Sequence, residues 1–165
     1  MTESKLHLLT KESLEEIDTW IARYPEDRKQ SAVIAALSIV QVQNEGYVTV
    51  DLMDAIAEYL EMEPISVYEV ASFYARFVTE PCGRHHVAVC TNIACALMGS
   101  DEIVAHCEKK LGIKTGESTP DGRIFLKQEE ECLAACGGGP MMQVNDDYYE
   151  YLTPERVDEI LDKLE

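Results

Sequence analysis

The sequence predicts a mixed α+β protein, with a helical bundle region over residues 1–80 followed by an α/β domain over residues 81–165. In the first region, apolar side chains recur at helical spacing in one segment after another. From Arg84 onward, short β-branched and apolar runs alternate with a helical pattern. The composition, 46% hydrophobic and 27% charged, is that of an ordinary globular chain.

Four helices are expected in residues 1–80. The first begins with the capping box Ser13–Glu16 and ends at Pro25, and the second runs from about Ser31 to Gly46. The third covers roughly Leu52–Leu60, and a second capping box, Ser66–Glu69, opens the fourth. Their apolar stripes are typical of helices that pack on each other, so we assign no chemistry to this region.

The second half begins with a predicted strand, His85–Val89, that leads directly into Cys90. A helix that carries Cys107 on its apolar face and stops at Gly112 should follow. Further along, the sequence predicts a strand over Ile124–Lys127, a hairpin of Met141–Val144 with Tyr148–Tyr151, and a last helix capped by Thr153 with Pro154 in its first turn.

The charge balance narrows the range of partners. Fourteen Lys and Arg residues against 31 Asp and Glu give a net charge of −17, which argues against binding to nucleic acid or to anionic lipid. No basic and apolar leader opens the chain, and no apolar run has the ~20 residues of a membrane span. We therefore expect a cytoplasmic protein without direct membrane insertion, in which six cysteines serve as metal ligands, catalytic groups or core residues.

Four of the cysteines form two pairs, Cys90 with Cys95 and Cys132 with Cys136, spaced C-x4-C and C-x3-C. Zinc sites favour the tighter C-x2-C, whereas each iron of a [2Fe–2S] cluster takes two thiolates and suits two separated pairs. Neither common ferredoxin spacing is present. The glycines after Cys136, Gly137–Gly139, would let the backbone approach a cluster closely. The spacing thus favours a [2Fe–2S] cluster and leaves a zinc site open.

The remaining candidates are expected not to be ligands. Cys107 lies on the apolar face of its helix, and Cys82 has no partner at a useful spacing. His85 and His86 are neighbours on a strand and point to opposite faces, and His106 follows a core position.

The cysteine segments Cys90–Cys95 and Glu131–Cys136, together with Pro140–Tyr149, resemble the small [2Fe–2S] subunit of respiratory complex I, which is the E subunit of the bacterial NADH:quinone oxidoreductase. The helical segment Val67–Tyr74 and the segment Lys110–Gly122 match the same family. The resemblance implies a thioredoxin-like ferredoxin domain over residues 81–165, preceded by the helical region.

What the resemblance implies for function is electron transfer through one [2Fe–2S] cluster held by Cys90, Cys95, Cys132 and Cys136. The chain would lie beside the flavin subunit, which binds NADH and FMN, and among other subunits in the peripheral arm of an inner-membrane complex. It would perform no hydride or quinone chemistry alone. Many relatives carry glycine where this chain has Ala134, which raises the question of a left-handed backbone there; we expect the loop to persist.

Other interpretations remain open. Related [2Fe–2S] subunits occur in NAD-linked hydrogenases and formate dehydrogenases. A zinc-binding interaction module and a thiol–disulfide oxidoreductase are weaker alternatives, since the latter would be expected to show C-x-x-C at a helix start. The acidic run Glu129–Glu131 directly before Cys132 predicts a lowered reduction potential, unless these carboxylates form a solvated strand end.

Overall fold

A computed structural model describes residues 4–127 and 132–165 of the chain. The chain forms two compact units, Met1–Pro81 and Cys82–Glu165. Among the described residues, no helix has both the length and the apolar character that crossing a membrane requires.

The first unit is helical, as the sequence predicts. Its α-helices are α1, Lys11–Ile21; α2, Val33–Gln43; α3, Val50–Leu60; and α4, Pro64–Phe73. Short 3-10 helices cover Leu6–Leu8 and Glu26–Ala32. The apolar stripes meet in one core around the fully buried side chains of Ile17, Leu37, Ile56 and Val67. Burial of these stripes, rather than helix propensity alone, stabilises such short helices.

Two predicted helix starts are wrong. Helix α1 begins after Thr10, whose side-chain oxygen accepts a hydrogen bond from the Ser13 amide at 3.2 Å, so Ser13 lies inside the first turn. Helix α4 begins at Pro64, which places Ser66 within the helix. Threonine caps a helix almost as well as serine, and proline suits the first helical position because its missing N–H needs no partner there. The helices therefore begin at these earlier positions, after Thr10 and at Pro64, rather than at the two capping boxes.

The second unit is built on a five-stranded sheet in the order β2-β3-β1-β4-β5. The strands are β1, His85–Val89; β2, Glu117–Ser118; β3, Ile124–Leu126; β4, Met142–Val144; and β5, Asp147–Tyr149. The helices are α5, Ile93–Leu97; α6, Ser100–Leu111; and α7, Pro154–Leu161. The predicted α+β class is confirmed.

The central strand β1 pairs in parallel with β3 and antiparallel with β4. The parallel pairing requires a crossover, which α5 and α6 provide. The predicted hairpin is present as β4 and β5, and Asn145 takes a positive φ of 54° in its turn. Side chains of the sheet and of α7, among them Val87, Ile124 and Val157, are fully buried in one core. Strand β2 was not predicted, because two residues carry no periodicity.

Candidate metal centre

The first cysteine pair is buried at the end of the central strand. Cys90 follows β1, and its amide donates to the Met141 carbonyl oxygen at 3.1 Å. Cys95 lies inside α5, whose N-terminus is capped by the Asn92 side chain, which accepts from the Ile93 amide at 2.8 Å. The two cysteines are only 2% and 1% exposed.

The helix after Cys90 differs from the expected single one. Cys95 lies within the short α5, and Gly99 separates α5 from α6, the helix that carries Cys107. Gly99 has a φ of 93°, a left-handed conformation that only glycine adopts at little cost. The break leaves Cys95 on its own turn of helix, next to Cys90.

The second pair lies at the surface. The sulfur atoms of Cys132 and Cys136 are 3.8 Å apart, and both residues are exposed. Between them Ala134 has a φ of 60°, and its amide donates to the Cys132 sulfur at 3.3 Å. Ala134 thus has the left-handed backbone that the glycine of many relatives raised as a question. This conformation costs a non-glycine residue about 1–2 kcal/mol, and it directs an N–H group at a cysteine sulfur.

The loop that carries the exposed pair covers the buried pair. Leu133 and Ala135 pack against the apolar group formed by Cys90, Cys95 and Met141. A 3-10 helix, Cys136–Gly138, then leads to Gly139, where an added Cβ would lie 3.3 Å from the Cys95 sulfur. Glycine leaves room for this close approach, since a side chain here would press on the Met98 and Cys95 sulfur atoms. The structure thus brings all four predicted cysteines to one site.

The pKa of each of these thiols depends on the neighbouring cysteines. Burial raises the pKa of the Cys95 thiol to about 11, and its hydrogen bond with Cys90 raises that pKa as well. The hydrogen bond with Cys132 raises the pKa of Cys136. Thiolates this close together repel, so they become stable when bound cations compensate their charge. The four sulfurs are therefore chemically suited to metal ions.

The spacing of the exposed pair fits one tetrahedral metal ion. Two thiolates bound to the same ion at ~2.3 Å lie about 3.8 Å apart, and the Cys132 and Cys136 sulfurs are separated by 3.8 Å. In the described parts of the chain, no group of three or more His, Cys, Asp or Glu side chains converges on a single ion position. The roles of the four cysteines as cluster ligands stay a prediction, and Glu129–Glu131 lie outside the described residues.

The two other cysteines differ from each other. Cys107 is fully buried in the sheet core, as expected, and burial raises its pKa to about 12. Cys82, which is expected not to be a ligand, has its sulfur 3.1 Å from Nε2 of His86. The sequence reasoning missed this contact, which forms because the turn before β1 brings residues four positions apart together. The C-x3-H spacing was the available signal.

The histidines have contacts away from the paired cysteines. His85 contacts the Asn145 side chain at 3.1 Å, and His106 contacts Asp158 on α7 at 2.8 Å. The ring of His86 packs edge-on against Phe125, and its burial lowers the pKa to about 4.

The buried His86 predicts a pH dependence of stability. Its pKa of about 4 lies below the ordinary value of 6.5, so between these pH values the unfolded chain binds a proton that the folded chain does not. The free energy of unfolding should therefore fall by up to about 3 kcal/mol as the pH drops through this window. Urea unfolding at several pH values should show a shallower fall for His86→Gln than for the control His7→Gln. Equal pH slopes in both variants would contradict the burial of a neutral His86.

A mixed sheet with helices packed on it, one cysteine pair at the end of its central strand and a second pair in the loop that covers the first are features of a thioredoxin-like ferredoxin. The sequence profile of the thioredoxin-like [2Fe–2S] ferredoxin family matches residues 17–165. The chain belongs to this family, and the predicted fold is confirmed.

The relatives identify the branch of the family. The chain is 45% identical over 154 residues to the E subunit of the NADH-quinone oxidoreductase of Rickettsia bellii, covering 93% of this chain and 92% of the relative. It is 43% identical over 155 residues to the mitochondrial NADH dehydrogenase [ubiquinone] flavoprotein 2 of Dictyostelium discoideum, covering 94% of this chain and 62% of that one. The resemblance to the complex I family is confirmed, and these relatives are subunits of an oxidoreductase.

A solved structure has the same fold. A chain of an NAD+-reducing [NiFe]-hydrogenase in the air-oxidized state superposes with a TM-score of 0.67 at 20% sequence identity. The match covers 80% of this chain and 22% of that chain. At this level of identity the likeness concerns the fold.

Proposed function

We propose that the chain is an electron-transfer subunit of NADH:quinone oxidoreductase that holds one [2Fe–2S] cluster on Cys90, Cys95, Cys132 and Cys136. The observation that carries this proposal is the meeting of two cysteine pairs, one buried and one exposed, in a chain similar to the Rickettsia E subunit over 93% of its length. The pairwise arrangement suits a cluster in which each iron takes two thiolates.

A bound [2Fe–2S] cluster supplies a site that accepts and releases one electron. The residues of the chain would hold and shield it. Cys90 and Cys95 lie in a dry environment under Leu133 and Ala135, whereas Cys132 and Cys136 face the surface. The Ala134 amide donates to a ligand sulfur, and such N–H groups favour added negative charge. Hydride transfer from NADH to FMN belongs to the flavin subunit.

Analysis of the purified chain for iron, acid-labile sulfide and zinc tests this proposal. We expect a red-brown protein with two irons and two sulfides for each chain, and a visible spectrum that bleaches on reduction. A colourless protein with one zinc would overturn it in favour of a zinc-binding module. A protein free of metal, with a reversible Cys132–Cys136 disulfide, would point to thiol–disulfide exchange.

A second candidate keeps the cluster and changes the enzyme. The fold likeness to the NAD+-reducing hydrogenase supports an equivalent subunit in an NAD-linked hydrogenase, and an NAD-linked formate dehydrogenase is the further alternative that the sequence leaves open. The higher identity to the oxidoreductase subunit of Rickettsia bellii supports the complex I assignment instead. Purification of the assembly from its native source separates the two, because only complex I would bring membrane subunits with it.

The partners follow from the same proposal. We place the chain at the cytoplasmic side of the membrane, in the peripheral arm, beside the subunit that binds NADH and FMN. We assign docking to the helical residues 1–80 and electron transfer to residues 81–165.

In the helical unit, Val42, Ile65 and Phe73 expose most of their apolar side chains, and Phe73 is 77% exposed. We take these side chains as candidate partner contacts, because exposed apolar patches mark interaction sites.

Replacement of Phe73 tests the docking role. Because a charge in an apolar interface must be desolvated, Phe73→Glu should reduce co-purification with the flavin subunit at least tenfold, which corresponds to about 1.4 kcal/mol. Gln30→Glu adds the same charge at another exposed position of this unit and should leave co-purification unchanged. Iron content should stay the same in both variants. Full retention of the flavin subunit by Phe73→Glu would contradict docking through this side chain.

A further inference from the structure

The Glu150 side chain lies against the glycine turn that follows Cys136. A Cβ added at Gly138 would overlap Cδ and Oε1 of Glu150 and lie 2.7 Å from its Cβ. The carboxyl group therefore occupies the space that a side chain at position 138 would need. Two backbone hydrogen bonds hold this segment in place: the Tyr151 amide donates to the Gly138 oxygen at 2.7 Å, and the Leu152 amide donates to the Pro140 oxygen at 2.9 Å.

The same turn is close to both cysteine pairs. Gly138 ends the 3-10 helix that Cys136 begins, and the next residue, Gly139, is the one that lies against the Cys95 sulfur. Gly138 is two residues from Cys136 and one from Gly139, and each residue spans at most ~3.6 Å. A group on Gly138 therefore lies within roughly one Debye length, ~8–10 Å, of these ligands. The Glu150 carboxylate is therefore close enough to act on charge at the metal centre.

We propose that Glu150 lowers the reduction potential of the bound cluster. This inference rests on the proposed function, since it requires a [2Fe–2S] cluster on the four cysteines. Reduction adds one negative charge to the cluster, and a fixed carboxylate nearby disfavours that charge. The Ala134 amide acts in the opposite direction, because it donates to the Cys132 sulfur. Glu150 is exposed, so solvent and salt weaken its effect.

The comparison of Glu150→Gln with Asp147→Asn tests the proposal. Asp147 is an exposed carboxylate at the start of β5, the strand that Glu150 follows, and Glu150 is three positions further along, about 10 Å away in an extended chain. Both variants remove one negative charge. Redox titration of the iron-loaded full chain at low salt should show a higher reduction potential for Glu150→Gln than for the unsubstituted chain. The equilibrium constant for reduction should rise by up to tenfold, which is a shift of about 59 mV for one electron. Asp147→Asn should shift the potential much less, and the difference should shrink as salt is added.

Equal potentials for the two variants at low salt, with iron and sulfide intact, would overturn the role of Glu150. Failure of the unsubstituted chain to hold iron would instead contradict the proposed function. The two failures are distinguishable because iron content is measured on the same samples.

A second pair of variants tests the contact itself. Gly138→Ala should lower the thermal midpoint, because its methyl group collides with the Glu150 side chain, including Cβ at 2.7 Å. Glu150→Gly removes that obstacle. Adding Gly138→Ala to Glu150→Gly should therefore lower the thermal midpoint much less than adding Gly138→Ala to the unsubstituted chain. Additive effects of the two substitutions would show that the side chains do not meet and would overturn the proposal.

Discussion

Serine at any one of Cys90, Cys95, Cys132 or Cys136 should remove most of the bound iron and the visible absorption of the purified protein. Each iron of the proposed cluster takes two thiolates, and a serine oxygen is a poor replacement for the soft thiolate ligands that iron–sulfur clusters select. Substitution in the buried pair should have the larger effect, because Cys90 and Cys95 also pack in the apolar group beneath the loop. Iron and sulfide analysis with visible spectroscopy measures the result.

The matched controls are the two cysteines outside the site. Cys107→Ala and Cys82→Ser should keep full iron content, since Cys107 lies in the sheet core and Cys82 contacts His86. Loss of iron from either control, or retention of two irons after substitution of a paired cysteine, would assign the ligands differently.

Gly83→Ala should destabilise the second unit by about 3 kcal/mol, the upper part of the range for overpacking. A Cβ at this position would overlap the Ile124 carbonyl carbon and lie 2.6 Å from the Phe125 amide nitrogen. These are backbone atoms of a central parallel strand pair, so they cannot move aside without disturbing the β1–β3 pairing. Urea unfolding followed by circular dichroism gives the difference in free energy.

Gly137→Ala is the control for this prediction. An added Cβ at Gly137 meets no atom within 4 Å, so the substitution should change stability by less than about 1 kcal/mol. Equal stability of the two alanine variants would mean that the chain does not approach β3 closely at Gly83.

The elements that the sequence predicted correctly are those with a strong local signal. Thr153 caps α7 and Pro154 opens it, and Asn145 forms the hairpin turn, as their sequence patterns indicate. Strand β1 was likewise readable from His85–Val89. The misplaced starts at Ser13 and Ser66 show the limit of this approach, because two acceptable caps within a few residues compete and packing selects between them.

The sequence by itself determined the helical first region, the mixed second region, the pairing of the four cysteines and the resemblance to the complex I family, because each rests on residue type and short-range spacing. Only the tertiary structure decided that one cysteine pair is buried and the other exposed, that Cys82 contacts His86, and that Glu150 covers Gly138. Burial depends on which segments cover one another. Contacts such as that of Glu150 with Gly138 join residues whose separation along the chain carries no periodic signal, so they exist only once the sheet and its loops have come together.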